Sequence, residues 1–134
     1  MRLEQIRALC LSLPGATEQI QWGNDLLFKV AGKMFLITGF NPDSPFTIKA
    51  ADEAFHELTE LAGIHPAPYL ARARWVQIIP AECRLRPAEI EALIRQSYAL
   101  VVARLPKRTQ KALQENPKQK ASARKGKRAK RSTP

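Results

Sequence analysis

The 134-residue chain holds only two cysteines and two histidines, and this scarcity removes whole classes of chemistry. With no Cys-x-x-Cys pair and no histidine cluster, no ligand set is spaced for a metal, and no cofactor is expected. Cys10 and Cys83 lie far apart; they read as small buried apolar groups or free thiols of a reducing compartment, with a single bridge as the other possibility. Gly23, Gly32 and Gly39 stand alone, as turn or strand-end punctuation rather than a phosphate-cradling loop. No apolar run approaches the roughly 18 residues needed to cross a bilayer. Glu4 and Arg7 interrupt the N-terminal region where an export signal needs a continuous apolar stretch. A soluble, cytoplasmic chain with no membrane partner is expected.

Acid is almost missing from the C-terminal segment. From Lys107 onward the cations are Lys107, Arg108, Lys111, Lys118, Lys120, Arg124, Lys125, Lys127, Arg128, Lys130 and Arg131, opposed by Glu115 alone, and these account for the whole formal charge of +10. Residues 1–106 carry eleven side chains of each sign and sum to zero. The division is therefore a domain over 1–106 and a basic, largely disordered tail over 107–134. Leu113 is the one large apolar residue of that tail; Lys107 to Glu115 can briefly prolong a helix, but beyond Pro117 too little can be buried to offset ordering entropy. Such a block repels itself, stays solvated, and releases counterions on meeting phosphates.

What is present in residues 1–106 is patterned. Leu3, Ile6, Leu9 or Cys10, and Leu13 recur at helical spacing over Arg2 to Leu13, ended by Pro14-Gly15. Gln19 to Trp22 is a short strand candidate. Leu26, Phe28 and Val30 alternate with Leu27 and Lys29, and after Ala31-Gly32 a second strand runs from Lys33 to Phe40, giving a β-hairpin. Phe46 to Lys49 adds a further strand. Asp52 can cap a helix to about Ala62, with Phe55, Leu58 and Leu61 inward. Ile64-His65-Pro66-Ala67-Pro68-Tyr69 is expected to be irregular, because proline removes a donor and fixes φ. Arg74 to Ile79 reads as a last strand. Pro87 starts a helix with the stripe Ile90, Leu93, Ile94, Ser97, Val101 and Leu105. The order predicts an α+β two-layer sandwich, an antiparallel meander with helices packed on one face. Lys29 and Lys49 point away from their strands' apolar neighbours, toward water or a ligand.

Catalytic constellations do not assemble. His56-Glu57-Leu58-Thr59-Glu60 begins like a zinc-protease helix but has Glu60 where the second histidine belongs, so a solvated acidic face accounts for it better. Cys83 and His65 have no spacing that joins them as nucleophile and base. Trp22, Tyr69 and Trp75 either fill the core or, for Trp75 beside Arg72 and Arg74, line a groove where aromatic and cationic groups act together. The alternation Ala71-Arg72-Ala73-Arg74 puts both guanidinium groups on one side if the strand begins early; they then grip a phosphate, or pair with Glu57, Glu60 or Glu82.

Leu13-Pro14-Gly15-Ala16-Thr17-Glu18, Trp22-Gly23-Asn24-Asp25 and Phe28-Lys29-Val30-Ala31-Gly32-Lys33-Met34-Phe35 resemble the opening signature of the MmcQ/YjbR family. So, further on, do Ala67-Pro68-Tyr69-Leu70-Ala71-Arg72, Trp75-Val76, and the run from Ser97 to Pro106. The resemblance spans nearly all of residues 1–107 and implies a CyaY-like (frataxin-like) sandwich and DNA binding by a double-wing arrangement of β-hairpins. Carried over by position, it makes Trp22, Lys29, Lys33, Arg72, Arg74 and Trp75 candidates for nucleic-acid contact, with Lys49 added on side-chain direction alone. The acidic ridge of frataxin-type iron binding is not matched, since Glu53, Glu57 and Glu60 are few and balanced by cations.

The expectation is a non-enzymatic DNA-binding protein of the cytoplasm, with the nucleoid as one possible place within it. Its tail supplies phosphate contacts and its hairpins orientation. The alternative is a protein- or small-ligand-binding module with a cleft near Tyr69 and Trp75 and the tail as an interaction arm.

Overall fold

A computed structural model describes residues 1–21, 23–68 and 70–115. Trp22, Tyr69 and the candidates Lys118, Lys120, Arg124, Lys125, Lys127, Arg128, Lys130 and Arg131 lie outside the described residues. In chain order the elements are α1 (Leu3–Ser12), β1 (Ala16–Gln21), β2 (Asp25–Val30), β3 (Lys33–Thr38), β4 (Phe46–Lys49), α2 (Phe55–Thr59), β5 (Ile64–Pro66), β6 (Trp75–Ile78), α3 (Pro87–Val102) and α4 (Lys107–Gln114). The strands form one antiparallel sheet in the order β1-β2-β3-β4-β6-β5. The α+β class and the meander of the first four strands are as predicted; β6 then pairs with β4, which leaves β5 at the edge.

Period-two alternation sets the two faces. Leu26, Phe28, Val30, Leu36, Phe46, Ile48, Val76 and Ile78 are buried in one cluster with Ile6, Leu9 and Cys10 of α1 and Ile90, Ile94 and Val101 of α3. Each large side chain so buried contributes roughly 1.5–3 kcal/mol. Between them, Lys29, Thr47, Lys49 and Gln77 are only half-buried on the opposite face. Both long helices start the same way: the side chain three residues in accepts the N-cap amide, Gln5 from Arg2 at 2.9 Å and Glu89 from Arg86 at 2.9 Å.

Four local expectations are revised. Ile64–Pro66 is regular after all, because at an edge Pro66 breaks no ladder on its outer side. The segment after β4 is a 3-10 turn over Asp52–Ala54 followed by a five-residue helix; Asp52 makes no side-chain cap, and Leu61 is exposed. Ala71–Ala73 is a 3-10 turn and Arg74 is left-handed at φ 67°, so β6 starts only at Trp75 and the early-strand alignment of Arg72 with Arg74 does not form. The helix allowed for Lys107 to Glu115 forms as α4, and the revision lies in where it sits. α4 returns to the domain, where Leu113 packs against the core, and a Cβ at Gly15 would collide with its Cδ2.

Candidate functional site

The β2–β3 turn is a two-residue one with positive φ at both positions, Ala31 at 51° and Gly32 at 79°. This is the mirror-image geometry that matches strand twist. It sets Lys33 opposite Val30, and a register shift at Phe28/Lys29 then leaves Phe35 as the extra residue between Lys29↔Met34 and Phe28↔Leu36. On its other side β3 pairs with β4 only as far as Leu36↔Ile48. Beyond that point the ladder is bridged by a side chain from α3: the Ser97 hydroxyl donates to the Phe35 carbonyl at 2.6 Å and accepts the Lys49 amide at 2.9 Å.

A cleft of about 450 Å³ sits at this end of the sheet, lined by Lys33, Met34, Lys49, Trp75, Val101, Arg104 and Leu105. Its walls are the first residues of β3, the last of β4, the first of β6 and the final turn of α3. Four lining residues are apolar and three are cations. Lys49 is fixed in place: its Nζ donates to the Ala73 carbonyl at 2.9 Å and stands 6.0 Å from the centre of the Trp75 ring. Burial pushes the Lys49 ammonium below the ordinary lysine range; the neighbouring Arg104 adds to this and Asp52 opposes it. Just past the end of α3, Gln110 Nε2 donates to the Leu105 carbonyl at 2.8 Å and more weakly to that of Ala103 at 3.4 Å.

The zero net charge of residues 1–106 conceals an uneven placement. Arg2–Asp43, Arg7–Glu18, Arg74–Asp52, Arg86–Glu89 and Arg95–Glu91 are ion pairs. Among the described residues, that leaves Lys29, Lys33, Lys49, Arg72, Arg84 and Arg104 of the domain's cations without an ion-pair partner. All but Arg84 lie at one end: β2 finishes there, β3 starts, β4 finishes and β6 starts. Asp25, Asp43, Glu82, Glu89 and Glu91 belong to the opposite end, at the β2 start, the β3–β4 connection, the segment after β6 and the first turns of α3, whereas Asp52 and Glu53 follow β4 at the cationic end, Asp52 paired with Arg74. α4 extends the cationic end. It begins two residues after the cleft-lining Leu105, its Lys107, Arg108 and Lys111 are exposed, and Leu113 anchors it at Gly15, beside Val30 of the hairpin.

The structure thus gathers Lys33, Lys49 and Trp75 in one cleft and sets Lys29 and Arg72 at the same end but outside its lining. Arg74 is drawn off: it pairs with Asp52 at 3.7 Å and covers the Phe55 ring at 5.3 Å. Trp75 is only 8% exposed, which makes it floor rather than platform. Arg104 is the member that sequence reasoning missed. The signal was its spacing, three residues past Val101 and so on the flank of the α3 stripe. Among the described residues no three His, Cys, Asp or Glu side chains gather as a metal site, and no helix is long and apolar enough to cross a membrane.

Several residues that carry the sequence signature prove to brace this end. The Tyr98 hydroxyl donates to the Pro14 carbonyl, and its ring meets Phe35 edge-on, 5.3 Å between centroids at 88°. Comparison with known proteins agrees with that signature. A family model described as YjbR matches residues 11–100. A crystal structure of Deinococcus radiodurans protein DR2400, with the domain DUF419, is similar at a TM-score of 0.74 and 24% identity, over 87% of this chain and 89% of that one. A Pseudomonas syringae protein is similar at 0.62 and 20% identity, over 75% and 98%. At these identities the likeness is one of fold. No curated protein matches.

Proposed function

The chain belongs to the YjbR family, and for this member we propose nucleic-acid binding through phosphate contacts, made by the cationic end of the domain together with the basic C-terminal segment. The observation that carries the proposal is the gathering of Lys33, Lys49 and Arg104 around one cleft, with no acidic side chain in ion-pair range among the described residues. Clustered cations with partly apolar walls raise the local potential and attract anions. Lys107, Arg108 and Lys111 of α4 lie alongside, so the docked helix joins the charge of the domain to that of the segment beyond it. The β2–β3 hairpin, with Lys29 and Lys33 near its tip, would serve as a wing of the kind that the family resemblance implies. Nothing in this arrangement reads base edges, so affinity independent of sequence is the expected behaviour.

A salt-titrated gel shift on duplex and single-stranded DNA tests the proposal. Each phosphate contact contributes about −0.9 to the log–log salt slope on duplex and about −0.7 on single strands. The triple variant Lys33→Gln, Lys49→Gln, Arg104→Gln is expected to flatten the slope by two or three contacts, and truncation after Glu115 by more. A full-length chain that ignores both forms of DNA at low salt would refute the proposal.

A further inference from the structure

On the nucleic-acid reading above, we infer that the cleft of Lys33, Lys49 and Arg104 receives a terminal phosphate monoester, holding a strand end and its last nucleoside rather than a length of backbone. Size is the first reason. At about 450 Å³ the cleft falls in the small-molecule range of roughly 300–1,000 Å³. Grooves that track a single strand engage roughly 4–16 nucleotides per fold; here there is room for about one.

Charge is the second reason. A backbone phosphodiester carries one negative charge, whereas a phosphate monoester carries about −1.5 to −2 at pH 7. Three cations lining one cleft, none of them in an ion pair among the described residues, distinguish the two, since at equal distance the Coulomb attraction scales with the charge of the guest. Lys49 is already held between the Ala73 carbonyl and the Trp75 ring, so little side-chain freedom is lost when the anion arrives. Its ammonium, held below the usual range first by burial and then by Arg104, gains a favourable partner once an anion lies between the two cations.

The floor decides what accompanies the phosphate. Met34, Val101 and Leu105 offer apolar contact without any hydrogen-bonding group directed at a base. Lys49 covers one face of the Trp75 ring and little of the rest is accessible, so a nucleobase cannot intercalate against it. The terminal nucleoside is therefore held by apolar contact indifferent to base identity.

The test uses the full chain and one single-stranded DNA decamer with either a 5′-phosphate or a 5′-hydroxyl, measured by anisotropy at equal salt. Contacts made by the basic segment to the shared backbone are common to both, and its attraction to the extra terminal charge is separated from the cleft's by the cleft variants. The phosphorylated end is expected to bind about tenfold tighter. Lys49→Gln and Arg104→Gln, each checked for native circular dichroism, should bring the ratio to within twofold; exposed Lys33→Gln repeats the measurement at a site remote from packing. Saturating deoxyadenosine monophosphate should abolish the same preference. Equal affinity for both ends in the wild type overturns chain-end recognition while leaving the nucleic-acid reading intact. Deoxyadenosine monophosphate bound as tightly as the phosphorylated decamer reassigns the cleft to free nucleotides and also overturns it. Failure of both decamers to bind overturns this inference, and if the duplex gel shift fails as well the nucleic-acid reading falls with it.

Discussion

Ser97 of α3 and Phe35 of β3, sixty-two positions apart, are joined by a buried hydrogen bond of 2.6 Å from hydroxyl to carbonyl. The same hydroxyl accepts the amide of Lys49, so one atom stands in for the direct strand-to-strand bond that the divergence of β3 and β4 removes. Replacing Ser97 by alanine strands a buried donor and a buried acceptor, each costing roughly 1–3 kcal/mol. Thermal or urea denaturation of Ser97→Ala should show a loss of at least about 2 kcal/mol. Because Lys49 loses its anchor, the salt slope of DNA binding should flatten as well. Unchanged stability would mean that water or a strand shift repairs the ladder.

Gly63 lies at φ 79°, and a Cβ there would stand 2.5 Å from the Cys83 nitrogen and 2.7 Å from the Glu82 carbonyl carbon. Those are backbone atoms and cannot swing away. Left-handed strain of about 1–2 kcal/mol adds to overpacking of about 1–3 kcal/mol, so Gly63→Ala should destabilise by roughly 2–5 kcal/mol. Urea midpoints at constant m-value would check it.

Ala31 occupies a left-handed position, φ 51°, in an exposed turn. Asparagine adopts that geometry at lower cost. Ala31→Asn is expected to raise stability by roughly 0.5–1 kcal/mol, read from thermal or urea denaturation. A fall in melting temperature would count against the turn assignment.

Burial pushes the Cys10 thiol from 9.0 up to about 12. Its folded-state value is raised, so the stabilisation is complete below about pH 9 and declines as pH climbs toward 12, because the unfolded chain releases a proton that the folded chain retains. Relative to Cys10→Ala, the wild type should lose at most about 1.4 kcal/mol per pH unit across that window. In native protein a thiol reagent should label half-exposed Cys83 and reach Cys10 only on unfolding.

Much of the scaffold was legible in the sequence because its signals are local. The stripes of α1 and α3, the Ala31-Gly32 turn and the alternation of β2 and β4 each declare themselves within a dozen residues. β5 was hidden because proline penalises a strand only where its missing donor is needed, and being at an edge is a property of the whole sheet. The left-handed turn at Arg74 was hidden because an Ala-Arg alternation looks the same whether the chain is extended or coiled. For the site, Lys33, Lys49 and Trp75 could be nominated from direction and resemblance. Arg104 joins them only because α3 ends where β3 and β4 part, and no short window of sequence records that meeting. Charge summed over residues 1–106 misled in the same way, since addition discards position.

The segregation of unpaired cations to one pole has a kinetic consequence. Unpaired cations at one end raise the positive potential locally, and a polyanion is drawn to that face before any surfaces touch. On the proposed function, the molecule would then meet its partner cleft first, and fewer collisions would be wasted on unproductive orientations.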